Sequence, residues 1–312
     1  MNDILTITFN PAIDKSTSIT ELLPEKKLKC TQPKFEPGGG GINVARAIKR
    51  LGGNATALFF SGGYSGQFFN QLLKEEQITI LPIDIKGHTR ENLIVYDQSS
   101  GNQYRFGMPG PFIEKDEWKD LIDELKKTTG FKYIVVSGSL PEGASIDILS
   151  QIGKVAAEKD IKFIVDTSGP ALAEAIKEKV FLIKPNLNEL ASLAGMEDIK
   201  SENAGITAQE LIRTGKCDNI IVSMGPKGAL LVTEKEITHF APPTIKPLST
   251  VGAGDSMVAG IVYSLHQGKE MKESVHFGVA CGTAATMNPG TELCHLTDVL
   301  SLIEKIAVSE NY

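Results

Sequence analysis

Short apolar runs rich in β-branched and aromatic residues recur at 4–9, 56–60, 133–136, 163–165, 181–183 and 220–222, separated by segments with helical periodicity. This alternation predicts a mainly parallel sheet covered by helices. Several of the runs end in small or polar residues: Asn10, Ser137-Gly138-Ser139, Asp166, Lys184-Pro185-Asn186 and Ser223. In an open α/β sheet, ligands bind outside the carboxyl ends of the strands, so these residues mark the functional edge. Two segments, about 15–36 and 89–106, break the alternation. They hold strand-like stretches such as Glu91-Asn92-Leu93-Ile94-Val95-Tyr96 with no helical segment between them. They are expected to be hairpin-like insertions that build a small sheet beside the main one. No internal repeat or linker divides the chain, which predicts one domain over 1–312, and residues 308–312 are expected to fray.

Composition narrows the class. The 312 residues suffice for a large core, and the 22% charged and 41% hydrophobic fractions are ordinary globular values. A formal net charge of −6 argues against a nucleic-acid partner, which needs a basic face. Cys30, Cys217, Cys281 and Cys294 are far apart and show no metal-ligand or disulfide pattern. The first residues read as a strand, with no basic stretch followed by a long apolar run, so no membrane association and a cytoplasmic location are expected.

The chemistry concentrates in Thr250-Val251-Gly252-Ala253-Gly254-Asp255-Ser256, followed by the apolar helix pattern Met257-Val258-Ala259-Gly260-Ile261-Val262. Here a carboxylate stands directly behind three residues with almost no side chain. The free N–H groups of the helix's first turn would face whatever sits over Gly252, Ala253 and Gly254. A base at Asp255 and an anion hole in one turn are the two parts phosphoryl transfer most needs. A plain alternative stands beside it, with Asp255 as a helix N-cap and the glycines as a tight loop entry.

A second concentration is Gly38-Gly39-Gly40-Gly41-Ile42-Asn43, which opens another helix. Four glycines carry an entropic cost that a simple connection does not require, and they let backbone approach a polyhydroxy ligand that Asn43 could bind. The pattern is neither a Walker A loop nor a dinucleotide fingerprint, which weighs against a nicotinamide-dependent oxidoreductase. Asp14 could accept two hydrogen bonds from vicinal sugar hydroxyls, or be an ordinary loop residue. Asn186-x-x-Glu189 has capping-box spacing, and equally could place Glu189 on water-ligated Mg2+ with Lys184 and Asn186 at nucleotide phosphates. Ser223-Met224-Gly225-Pro226-Lys227-Gly228 reads as a turn whose glycines would admit a nucleotide. Lys27, Lys29, Arg90 and Arg105 all fall in the two inserted segments, where they are either solvated side chains or a local trap for a phosphomonoester.

Taken in order, Asn10-Pro11-Ala12-Ile13-Asp14, the glycine tetrad, Gly138-Ser139-Leu140-Pro141, Lys184-Pro185-Asn186-x-x-Glu189 and Val251-Gly252-Ala253-Gly254-Asp255 resemble the ribokinase-like, or PfkB-type, carbohydrate kinase family. The resemblance covers nearly the whole chain. It implies a three-layer α/β/α domain with a mainly parallel central sheet and a small β-sheet lid, the lids commonly pairing two subunits into a homodimer. Lys27-Leu28-Lys29-Cys30, with Phe35-Glu36-Pro37 before the tetrad, is most similar to the family branch that phosphorylates fructose 6-phosphate with ATP. Branches acting on tagatose 6-phosphate or fructose 1-phosphate usually carry Lys at the position of Gly40.

The resemblance further implies that Asp255 takes the proton from the sugar hydroxyl over the anion hole of Gly252, Ala253 and Gly254. Asp14, Gly38, Gly39 and Asn43 would hold the sugar, with Arg90, Ser139, Lys27 and Arg105 for its phosphate. ATP would lie over Ser223, Gly225, Pro226, Lys227, Gly228, Val251, Val279 and Thr283, with Lys184, Asn186 and Glu189 near its phosphates and Mg2+. Potassium would sit near Ser249, Val251, Ala285, Asn288 and Gly290. Two positions depart from the family pattern, Ser249 where the broad family has Asp and Glu292 where relatives carry a basic residue. Tagatose-6-phosphate kinase is the neighbouring alternative, since one hydroxyl centre separates the two sugars. A non-catalytic sugar-phosphate sensor is the alternative from another class.

Overall fold

The computed structural model describes residues 3–145 and 147–310. The chain begins with β1 (Ile4–Thr8), β2 (Ala12–Ile19), β3 (Lys34–Gly38), α1 (Gly40–Arg50), β4 (Thr56–Ser61), α2 (Gly63–Glu75) and β5 (Thr79–Asp84). Next come β6 (Arg90–Asp97), β7 (Gln103–Phe106), α3 (Lys115–Lys127), β8 (Tyr133–Ser137), α4 (Ile148–Glu158), β9 (Lys162–Asp166), α5 (Gly169–Ala175) and β10 (Val180–Ile183). The remainder is α6 (Leu187–Leu193), α7 (Ser201–Arg213), β11 (Cys217–Ser223), β12 (Ala229–Val232), β13 (Ile237–Ala241), α8 (Ala253–His266), α9 (Met271–Thr286), α10 (Leu296–Ile303) and β14 (Ala307–Glu310).

Ten strands form one sheet in the order β14-β13-β12-β11-β10-β9-β8-β1-β4-β5, parallel from β11 to β5 and antiparallel across β12, β13 and β14. The apolar runs are continuous because both faces are covered. On β8, Tyr133 and Val135 face one core and Ile134 and Val136 the other. The first core is closed by α1, α2, α8, α9 and α10, the second by α3, α4, α5, α6 and α7, giving three layers. The sequence order reverses where β1 lies between β8 and β4, and at such a switch point the loops part to leave a crevice.

The two inserted segments form a separate four-stranded sheet in the order β3-β2-β6-β7, with β2 and β6 parallel. Arg46 of α1 fixes it to the main body. Its guanidinium, 2% exposed, donates to both Glu76 carboxylate oxygens at 2.6 Å and to the Pro37 carbonyl at 2.8 Å. One buried cation thus joins β3, α1 and the end of α2. The expected fraying at the C-terminus is corrected for 308–310, which lie in β14, paired with β13 and tied by Glu310 to Lys272 of α9. Residues 311–312 lie outside the described residues.

Candidate active site

Helix α8 begins where Gly252 turns the chain with φ 74°, a left-handed conformation that glycine adopts without strain. Gly252 therefore takes the N-cap position, and Asp255 stands in the first helical turn, free of the capping role that was its plain alternative. Its Oδ2 accepts a hydrogen bond from Asn43 Nδ2 at 2.9 Å and its Oδ1 one from Ser137 Oγ at 3.3 Å. Helix α1, strand β8 and helix α8 thus meet at one carboxylate. Burial, reinforced by the nearby Asp166 carboxylate, lifts its pKa from 3.8 to about 6 against the opposing pull of Asn43, Lys184 and Ser137. A carboxylate so poised is matched to accepting a proton near neutral pH.

On the small-sheet side, Asp14 lies in register with Glu36 of β3 and Asn92 of β6. Asn92 Nδ2 donates to Asp14 Oδ1 at 2.8 Å, while burial raises the Asp14 pKa. The glycine tetrad is packed tightly. A Cβ at Gly38 would collide with Asp14 Oδ2, and one at Gly40 would meet Ser137 Oγ and lie 2.5 Å from the Gly138 nitrogen. Arg90 heads β6 and donates to the Asn10 carbonyl at 3.0 Å and the Met108 carbonyl at 3.2 Å. Two carbonyls hold the guanidinium, its Nε is buried with no partner among the described residues, and burial lowers its pKa against the opposing pull of the Asp14 carboxylate. Such a cation is suited to an anionic ligand. Ser139 is exposed just beyond β8.

Two expected phosphate ligands are not brought to Arg90. Lys27 sits in the exposed loop between β2 and β3, at the opposite end of the small sheet, where the Leu22 amide bonds Asp97. Arg105 pairs in register with Ile94, four residues along β6, and its guanidinium bonds Gln103 Oε1.

Across the sheet edge lies a cavity of about 370 Å3, within the range of small-molecule sites. Its walls include Ser223, Gly225, Pro226 and Gly228 from the β11–β12 turn, Val279 and Thr283 from α9, and Ala253 and Gly254 at the α8 N-terminus. Lys184 closes one end, 8% exposed, its Nζ 3.1 Å from Asp166 Oδ1. Burial opposes its charge, but Asp166, then Asp255 and Glu189, more than offset this and hold its pKa above the usual value. Lys227 belongs to the same turn, and its Nζ donates to Ser201 Oγ at 3.1 Å. Sequence reasoning missed the wall formed by Pro242, Pro243, Thr244, Ile245 and Pro247, whose only signal was a proline-rich stretch after a strand.

Asn186 and Glu189 form a reciprocal capping box at α6, Asn186 N to Glu189 Oε2 at 2.8 Å and Glu189 N to Asn186 Oδ1 at 2.9 Å. The helix-capping reading of that spacing is therefore realised. Among the described residues no group of three or more His, Cys, Asp or Glu could hold a metal, and no helix is long and apolar enough to cross a membrane. Ser249 Oγ donates to the Gly290 carbonyl at 2.6 Å and accepts from Val251 N at 3.2 Å, and Asn288 Nδ2 donates to the Leu293 carbonyl at 3.1 Å. The segments around Ser249 and Gly290 thus meet beside the α8 N-terminus, joined through the Ser249 hydroxyl and the Gly290 carbonyl, with Ala285 buried on α9.

A family model described as "pfkB family carbohydrate kinase" matches residues 2–298. The chain is 43% identical over 296 residues to ATP-dependent 6-phosphofructokinase isozyme 2 of Escherichia coli (strain K12), covering 95% of this chain and 96% of that protein. It is 34% identical over 310 residues to 1-phosphofructokinase of Borreliella burgdorferi, covering 99% of each. The crystal structure of phosphofructokinase-2 from Escherichia coli in complex with potassium superposes with a TM-score of 0.93 at 42% identity, covering 98% of this chain and 99% of that one. With a family model spanning almost the whole sequence and relatives matched nearly end to end, the chain belongs to the pfkB family of carbohydrate kinases.

Proposed function

We propose that this kinase transfers the γ-phosphate of ATP to the C1 hydroxyl of fructose 6-phosphate, giving fructose 1,6-bisphosphate and ADP. The observation that carries the reading is the position of Asp255. Its carboxylate is held by Asn43, on the helix that the glycine tetrad opens, and by Ser137 at the end of β8, while the first turn of its own helix lines the cavity. A sugar held by Asp14, Gly38, Gly39 and Asn43 would present its hydroxyl to Asp255, and Arg90 with Ser139 would take the 6-phosphate. As the new O–P bond forms and the bond to the ADP oxygen breaks, the hydroxyl proton passes to Asp255. The N–H groups over Gly252, Ala253 and Gly254 meet the charge on the transferring group, and the Lys184 ammonium balances the nucleotide phosphates.

A divalent ion would arrive with the nucleotide, held chiefly by phosphate oxygens and water. Glu189 would steady it through water, and the bound ion would neutralise phosphate charge. The Ser249 hydroxyl and the backbone carbonyls of Val251, Ala285, Asn288 and Gly290 are oxygen donors of the kind a potassium ion takes, and one relative was crystallised in complex with potassium. The small sheet would act as a lid. Its exposed Tyr96 and Phe106, with Met108 just beyond β7, favour pairing with a second copy in a homodimer, which is also how Lys27 could reach a phosphate site, that of the partner. The similarity to a 1-phosphofructokinase keeps another sugar-phosphate acceptor as the second reading.

The test is Asp255→Asn, with ATP and fructose 6-phosphate binding followed by calorimetry beside turnover. Both ligands should bind within a few-fold of wild type while kcat falls by about 100- to 10,000-fold. Unchanged turnover would remove Asp255 from its role.

A further inference from the structure

We infer that Ser137 is a positioning residue for the reaction, its hydroxyl fixing the plane of the Asp255 carboxylate. The inference rests on Asp255 being the base. Asn43 and Ser137 each hold a different carboxylate oxygen, from α1 and β8 respectively. One donor alone would let the carboxylate swing about its last torsion, whereas two donors on opposite oxygens leave one orientation. At 3.3 Å the serine bond is long, as such bonds often are before substrate closes a site.

The backbone holds this serine in place independently of its hydroxyl. Ser137 is 3% exposed at the end of β8, in register with Asp166 of β9. The next residue, Gly138, is fastened on both sides, its N–H to the Asp166 carbonyl at 3.0 Å and its carbonyl to Thr167 Oγ1 at 2.8 Å. Gly40 lacks the Cβ that would occupy the hydroxyl's position. A braced strand end and a glycine opposite it therefore aim one hydroxyl at the base. The charged side chains acting on the carboxylate are Asp166 from β9 and Lys184 from the end of β10, while α1 and β8 contribute the neutral Asn43 and Ser137.

The experiment is a carbon-13 titration of the Asp255 carboxyl in the unliganded wild-type protein and in Ser137→Ala and Ser137→Cys. Cysteine keeps the volume but is a weak donor. Loss of a donor to the charged form raises the midpoint, by about half a pH unit in both variants. An unchanged midpoint overturns the inference. So does a rise in Ser137→Ala that Ser137→Cys reverses, because packing and not the hydroxyl would then be responsible. In turnover, both variants should lose about threefold in kcat below pH 6 relative to pH 8, with the sugar-phosphate KM within twofold of wild type. If the wild-type protein turns over no sugar phosphate, the function proposed above fails, while the titration still decides the role of Ser137.

Discussion

Replacing Asp255 by Asn should stabilise the protein at neutral pH, by an amount that depends on pH. The carboxyl is lifted from 3.8 to about 6, chiefly by burial and then by Asp166. At about 1.4 kcal/mol per pH unit, that rise of roughly two units means ionised Asp255 costs the fold about 3 kcal/mol. The folded protein binds this proton more tightly than the unfolded chain. The favourable contribution is therefore complete below pH 3.8 and is lost as pH rises through 6. Asparagine can offer its carbonyl to Asn43 and its amide to the Ser137 oxygen, so both contacts survive without the charge. The stability difference, variant minus wild type, should grow by about 1.5 kcal/mol between pH 5 and pH 8. Urea unfolding of both proteins at half-unit intervals measures it, with midpoints compared at equal slope. A difference that is flat across this range would refute the reasoning, because a carboxyl titrating near its ordinary value leaves nothing to gain there.

Three further outcomes follow from named contacts. Arg90→Ala should raise the KM for fructose 6-phosphate by about 10- to 100-fold, the worth of one charge-assisted contact, while leaving turnover of free fructose nearly unchanged. Arg46→Ala strands Glu76 and frees the Pro37 carbonyl, so chemical denaturation should show a loss of about 3–5 kcal/mol. Gly40→Ala forces a methyl group against Ser137 Oγ and the Gly138 backbone, and steady-state kinetics should show kcat falling at least tenfold as α1 shifts from Asp255.

The strands buried on both faces were legible because nothing but continuous apolar sequence satisfies two cores, as in β8 and β11. Strand β5 was not, since it is half exposed and carries Pro82, and β14 is exposed along its length and owes its existence to pairing with β13. The chemistry at Asp255, Asn43 and Lys184 could be read because each is a polar residue at the end of an apolar element. Ser137 too stands at the end of an apolar run, but that position does not say that its hydroxyl meets Asp255, and Asn92 could not be assigned at all, because its importance lies in the atom it faces across the small sheet. Likewise the proline wall of the cavity contributes shape and no reactive group. For Lys27 and Arg105, charge within an inserted segment does not specify where along the small sheet each falls, Arg105 opposite Ile94 within β6 and Lys27 in the loop between β2 and β3.

The central claim is tested most directly by kcat/KM of the purified protein with Mg-ATP on fructose 6-phosphate, tagatose 6-phosphate, fructose 1-phosphate and fructose, in a coupled assay of ADP release. The account predicts a clear preference for fructose 6-phosphate, with free fructose poorest for want of a partner for Arg90. Preference for fructose 1-phosphate, or no turnover of any of the four, would contradict it.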